Sequence, residues 1–254
     1  VTQTVRDTML IFQRQLRLSL RSPAWIIIGL VQPALYLAFF APMLISISHT
    51  PGFPPGSSWQ VFVPGLLVQL GLFGATFVGF GIIAEWRMGV LERFRVTPTS
   101  RTALLLGRVL RDTLVLFVQS VVLTVAAVAF GLRAPIAGVL IDLSFVLFLA
   151  VSLASLSYAA SLVTKREDTL ARLVNSIVVP LLLLSGILIP MSLAPTWLGD
   201  LSRANPLRYV VDAMRQVFIG HYANTSVLWG AIVVVVLSVV SVATGVRIFG
   251  RETA

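Results

Sequence analysis

The sequence predicts an all-α integral membrane protein with six membrane-spanning helices. Three observations predict it: 57% of the 254 residues are hydrophobic, only 11% are charged, and the apolar residues gather in long runs free of formal charge. Soluble domains carry about 25% charged residues, because their surface has to be wetted. A mean hydropathy of +0.94 places this chain in lipid instead. An α-helix needs about 20 apolar residues to cross a hydrocarbon layer about 30 Å thick.

Residues 1–21 precede the first run and read as an interfacial helix. Val5, Met9, Phe12, Leu16 and Leu20 recur at helical spacing, and Arg6, Arg14, Arg17 and Arg21 fill an adjacent arc. Such a helix lies in the membrane plane, with its arginines against anionic headgroups, so membrane lipid is an expected partner. Charge-free runs then place spans at 22–47, 61–84, 113–132, 143–164, 173–198 and 225–246. No signal peptide is expected, because the first run is too long and lacks a small-residue cleavage site.

The connector at 48–60 holds Pro51, Pro54 and Pro55, which fix φ and remove donors, and ends at Trp59, suited to the membrane interface. In the second span Gly71, Ala75 and Gly79 form a small-residue face for close helix packing, either within the subunit or across a homodimer. With six spans both termini share a side. Of the 19 Lys and Arg residues, only Arg133, Arg203, Arg208 and Arg215 then fall on the other side. Short cation-rich loops stay in the cytoplasm, so both termini are predicted cytoplasmic.

Several function classes are excluded at this point. There is no Cys, and His49 and His221 are far apart, so no metal site is expected. The pI near 11.3 would suggest nucleic acid in a soluble chain. Here the cations flank apolar runs, so topology accounts for them and no nucleic-acid partner is expected. A phosphate-binding loop needs a Gly-rich turn before its lysine. The only lysine, Lys165, follows Ser161-Leu162-Val163-Thr164 with no glycine, so this chain is not expected to hydrolyse ATP. Ser185-Gly186 is the one nucleophile arrangement in a span, and no histidine lies on a span to serve as its base, which disfavours an intramembrane enzyme.

The inner loop from Glu85 to Arg101 mixes charge signs and carries Trp86, Leu91 and Phe94, large residues that topology alone does not require. It reads as an amphipathic helix with a face for a cytoplasmic partner, closed by Pro98. In the fifth region Pro180 and Pro190 bracket Ser185-Gly186, predicting a broken helix that turns near the outer face. The outer segment 199–224 is expected to hold one short helix. Polar residues in lipid usually face protein or a cavity. Gln32, Gln69, Gln119 and Asn175 are therefore read either as a substrate path or as glue between helices, and Asp142 is expected to pair with Arg133 across the outer turn.

These residues resemble the type 2 ABC transporter permease family, most closely its daunorubicin-resistance-like export branch. One signature lies at Glu85, Arg87, Gly89, Leu91-Glu92 and Thr97-Pro98; Val90 departs from it, standing where the family usually has Thr. A second lies at Pro195, Trp197-Leu198, Asn205-Pro206-Leu207, Tyr209, Asp212 and Arg215. The resemblance implies a bacterial plasma-membrane export permease, paired as a homodimer or a closely related heterodimer. It implies that 85–101 is a coupling helix to a separate nucleotide-binding ATPase subunit, which would hold ATP and Mg. Glu85, Arg87, Gly89, Leu91, Glu92 and Arg93 would make that contact. The outer gate would comprise Pro190, Pro195, Asn205, Pro206, Tyr209 and Arg215. A hydrophobic or amphipathic small molecule or lipid is the expected cargo. A lipid-linked polysaccharide is the alternative within the family, with Phe39, Phe40, Phe73, Phe77 and Phe80 as stacking candidates, and a non-transporting regulatory subunit is the alternative outside it.

Overall fold

The computed structural model describes residues 2–21, 24–47, 53–89 and 100–252. Among them the chain is helical, with no strand. In chain order the helices are α1 (Thr2–Arg21), α2 (Ala24–Ile47), α3 (Ser58–Thr76), α4 (Gly79–Arg87), α5 (Arg101–Ala129), α6 (Ile136–Thr164), α7 (Glu167–Leu184), α8 (Thr196–Ser202), α9 (Pro206–Phe218) and α10 (Thr225–Glu252). A 3₁₀ turn at Met191–Leu193 precedes α8.

Local chemistry sets where these helices start and stop. The orphan amides of a helix start need acceptors. At α3 a capping box supplies them: Ser57 Oγ accepts from the Gln60 amide at 3.3 Å, and Gln60 Oε1 accepts from the Ser57 amide at 2.8 Å. Ser100 Oγ caps α5 in the same way, accepting from Ala103 N at 3.2 Å. Asn205 caps α9, where Pro206 occupies the first turn and gives up no needed donor. Lys165, at φ 52°, ends α6 and lets the chain reverse into α7 within two residues.

Four helical stretches are long and apolar enough to cross a membrane: Ser58–Arg87, Arg101–Ala129, Ile136–Thr164 and Thr225–Arg251. Six spans were expected. The described apolar part of α2 covers only Ile27–Phe39, and α7 is 18 residues long with Glu167, Asp168 and Arg172 in its first turns. Helix limits also differ from the expected spans. α5 begins at Arg101 instead of 113, because its first turns carry Arg101, Arg108, Arg111 and Asp112, and α6 begins at Ile136 instead of 143, because the charge-free run is cut by Asp142, which is buried within the helix.

The fifth region breaks at its glycine, while Pro180 stays inside α7. α7 ends at Leu184, Gly186 adopts φ +77°, and the chain does not continue as a helix to 198. The segment expected to lie outside has two helices, α8 and α9, at 196–218 instead of one. No helix starts at Glu85: Glu85 and Arg87 form the last turn of α4, and Gly89 follows at φ +68°.

The centre of the bundle is α6, which touches α3, α4, α5, α7, α9 and α10. The small-residue face of α3 and α4 packs inside the subunit against it. A Cβ on Gly71 would meet Leu149, and one on Gly79 would lie 2.6 Å from the Ser157 carbonyl. Between α3 and α4 the helical ladder is interrupted at Phe77-Val78, and Ser157 repairs it. Its Oγ accepts from Gly79 N at 3.0 Å and donates to the Thr76 carbonyl.

Helix α1, expected to be interfacial, lies along α5, with Ile11 and Gln15 buried. Gly107 allows this approach, since a Cβ there would sit 2.8 Å from Ile11 and 2.9 Å from the Thr8 carbonyl. Val5, Met9 and Leu20 stay exposed on the far side.

Candidate functional site

The polar chemistry gathers at the two ends of the bundle. At the end where α4 finishes, Glu85 pairs with Arg108 of α5, whose side chain is only 4% exposed. One turn further along α5, Arg111 Nη1 lies 2.7 Å from Asp112 Oδ1, and the Tyr158 hydroxyl of α6 donates to Asp112 Oδ2. Asp112 and Tyr158 are both buried. These groups tie α4, α5 and α6 together through pairs in which one partner is buried, Arg108 and Asp112, and the other partly exposed, Glu85 and Arg111. Removing the exposed partner strands a buried charge.

Arg87 reaches Glu167 of α7 at 3.0 Å, with both side chains half exposed. The first turn of α7 adds Asp168 between Arg166 and Arg172. Hydrogen bonds from Arg166 hold its carboxyl below the usual range. Arg101 Nη1 donates to the Gly250 carbonyl at 3.1 Å, joining the start of α5 to the end of α10.

Of the residues predicted to couple to a partner, Glu85, Arg87 and Gly89 are thus placed on or just beyond the last turn of α4, with Glu85 turned inward. Leu91, Glu92 and Arg93 lie outside the described residues. Arg108, Asp112 and Tyr158 were not singled out from the sequence. The spacing of Arg108 and Asp112, one helical turn apart at the edge of an apolar run, is the signal that could have found them.

At the opposite end α9 is held by two side chains. Asn205 Nδ2 donates to the Leu181 carbonyl of α7 at 2.7 Å while its Oδ1 accepts from Leu207 N at 3.0 Å. Arg215 is buried. Its Nε donates to the Val61 carbonyl of α3 at 2.9 Å and its Nη2 to the Gly186 carbonyl at 2.7 Å. One guanidinium therefore satisfies a carbonyl at the break after α7 and another near the start of α3. Burial pushes Arg215 down to about 10, with Asp212 at 3.7 Å acting the other way, so the side chain keeps its charge at neutral pH.

Tyr209 donates to the Arg203 carbonyl at 2.9 Å, and Arg208 donates to the Gly199 carbonyl at 2.7 Å, closing the α8–α9 turn. Pro190 is buried behind the break, whereas Pro195 is exposed at the start of α8. Asn205, Pro206, Tyr209 and Arg215 therefore share α9 and its cap, and Arg215 also reaches the break.

Glycines let α9 sit close. A Cβ on Gly138 of α6 would lie 2.6 Å from the Val217 carbonyl, and one on Gly230 of α10 would lie 2.8 Å from the Tyr209 carbonyl. Ile187 presses its carbonyl onto α3 at Gly65 in the same manner.

The candidate substrate-path residues are not brought together. Gln69 and Gln119 are buried in α3 and α5, while Gln32 and Asn175 face outward from α2 and α7. A cavity of 740 Å3 lies at the α5–α6 turn, lined by Thr124, Val128, Leu132, Arg133 and Val139 among others, and includes none of the four. Phe73, Phe77 and Phe80 stack on one another, with centroids 6.2 and 5.7 Å apart. The expected Asp142–Arg133 pair does not form. Asp142 is wholly buried with both carboxylate oxygens unpaired, and it is the Arg133 backbone carbonyl that is engaged, by Gln60 Nε2 at 2.7 Å.

A helical bundle with four apolar, membrane-length helices and its polar groups confined largely to the two ends is a multi-pass membrane protein. The chain belongs to the ABC-2 type transporter family, whose profile matches residues 6–219. It is 27% identical over 209 residues to a protein of Porphyra purpurea named as a transport permease, ycf38, covering 81% of this chain and 70% of that one. It is 24% identical over 215 residues to a Mycobacterium tuberculosis protein named as a doxorubicin resistance ABC transporter permease, DrrC, covering 83% and 76%. A third relative, YbhR of Escherichia coli, named as a multidrug ABC transporter permease, is 25% identical across 68% of this chain and 47% of its own length.

Proposed function

We propose that this chain is the membrane-spanning subunit of an ATP-driven exporter that carries a hydrophobic or amphipathic small molecule or lipid out of the cell. The observation that carries the reading is the family match across residues 6–219 on a bundle built of membrane-length apolar helices. The names of DrrC and YbhR support the class of cargo.

In this reading α2, α3 with α4, α5, α6, α7 and α10 are six spans, and both termini face the cytoplasm of a bacterial cell. The cation distribution supports that orientation. Two copies, or this chain and a close relative, form the pathway. ATP and Mg belong to a separate nucleotide-binding subunit. α1 lies at the inner membrane surface, and α8 with α9 close the outer end.

The segment following α4 is the contact for the ATPase. The Glu85–Arg108 pair carries its displacement into α5, and through Asp112 and Tyr158 into α6. Reversing a 1:99 ratio of inward and outward forms takes about 5.5 kcal/mol of differential binding, so the dock must be firm and differ between states.

Reconstitution with the cognate ATPase tests this. Cargo movement that depends on ATP and on both proteins is the expected result, and ATP consumption by this chain alone overturns it. Glu92→Gln is expected to weaken ATPase docking, while Glu85→Gln is expected to preserve docking and lose transport. Unchanged transport and cargo-stimulated ATP hydrolysis in both variants would count against the coupling assignment.

A further inference from the structure

Asp142 stands in the half of α6 nearest α9, 0% exposed, and neither of its carboxylate oxygens has a hydrogen-bond partner. Protein alone encloses it. Gly138, one turn before, faces the Val217 carbonyl of α9; Phe145, three residues on, meets Gly230 of α10; and Val146 reaches Gly71 of α3. Positions three and four apart share a helix face, so Asp142 sits where α6 meets α9 and α10.

The ionisable groups on every neighbouring element are committed elsewhere or distant. On α9, Arg215 serves the Val61 and Gly186 carbonyls, Arg208 serves Gly199 and lies 3.6 Å from Asp212, and Tyr209 serves Arg203. Helix α10 has no ionisable residue before Arg247, and α3 has none. Those of α4, α5 and α7 (Glu85, Arg87, Arg101, Arg108, Arg111, Asp112, Glu167, Asp168 and Arg172) belong to the opposite end, as does Tyr158 of α6. Arg133, His221 and Tyr222, in the nearby turns, make no bond to it.

A carboxylate with no counter-charge in a protein interior within a membrane is costly, and apolar residues of similar size would fill the place without that cost. We propose that Asp142 is a proton-binding site that latches the outer end of the bundle. It carries a proton while α6, α9 and α10 are packed together. It gives that proton to water when α9 moves away and solvent reaches it, so acidity favours the closed outer end and alkalinity the open one. Only the word "outer" rests on the function proposed above; the site itself does not.

Infrared spectroscopy of the purified protein at neutral pH is expected to show the carbonyl stretch of a protonated, buried carboxylic acid. Asp142→Asn and Asp142→Leu should both abolish it. The chain contains no Cys, so Val217→Cys, at the buried α9 contact, reports opening by its rate of thiol labelling. The ratio of that rate with Asp142 intact to the rate with Asp142→Asn cancels the ionisation of the thiol. It is expected to rise by up to about tenfold per pH unit once Asp142 releases its proton. Absence of an Asp142-dependent band at neutral pH, or a ratio flat across pH, overturns the proposal. Neither measurement uses cargo or ATP, so failure of the transport reading and failure of this one are told apart.

Discussion

Arg215 joins three parts of the chain that lie far apart in sequence, through the carbonyls of Val61 and Gly186. Charge-assisted bonds of this kind contribute about 1.5–3 kcal/mol each, so Arg215→Met is expected to destabilise the purified protein by about 3 kcal/mol or more in thermal or denaturant unfolding. Arg215→Lys should not rescue it, because a single ammonium on a flexible stem cannot reproduce the fork that meets Val61 and Gly186 together. Ser157→Ala is a milder change. It leaves the Thr76 carbonyl and the Gly79 amide short of a partner, and a loss of about 1–3 kcal/mol is expected in the same unfolding measurement. The importance of Arg215 was visible in the sequence as a rare cation in an outer segment with Asn205-Pro206. Its partners were not, because backbone carbonyls leave no mark in side-chain pattern.

Four long helices were readable from charge-free runs, and their ends were not, because charged turns of α5 precede its apolar stretch and a buried Asp142 divides the apolar start of α6. Helix α1 shows the limit most clearly. Of the arc of Val5, Met9, Phe12, Leu16 and Leu20, Val5, Met9 and Leu20 are exposed and Phe12 and Leu16 half-buried, while the contact with Gly107 of α5 is made by Ile11 and the Thr8 carbonyl, which lie outside that arc. Gly107→Leu is expected to lift α1 from α5. Limited proteolysis should then cut within residues 2–21 at a rate well above that of the unaltered chain, with the remaining helices still protected. The seating of α9 was hidden for a similar reason: Gly138 and Gly230 lie on different helices, and nothing in a linear pattern pairs them.

For the molecule as a whole, charged contacts gather at both ends of the bundle, the Glu85–Arg108 and Arg111–Asp112 pairs at one and Arg208, Asp212 and Arg215 at the other, with α6 running between them. Glu85 is 23% exposed, so breaking its pair with Arg108 should cost less than the about 3–5 kcal/mol of a fully buried pair. Exchanging the two charges, Glu85→Arg with Arg108→Glu, is expected to recover part of the transport that Glu85→Gln loses. Equal transport in the exchanged and singly altered proteins would show that the pair only anchors α4. The broad architecture of apolar helices, a break after Leu184 and polar ends was apparent from composition and proline placement. The inward turn of Glu85 was not, because its partner sits 23 positions away inside what looked like a loop charge.

The interruption at Phe77-Val78 gives the α3–α4 rod a pin joint, with 19 residues on one side and 9 on the other. A rod with an unbroken amide ladder conveys thrust from end to end, whereas one spliced through a neighbour's hydroxyl can bend at the splice while its two pieces stay stiff. In the proposed mechanism a push arriving at Arg87 would therefore swing the shorter piece, Gly79–Arg87, around Ser157 before it shifted anything near Val61, so that the two ends of the bundle need not move at the same instant.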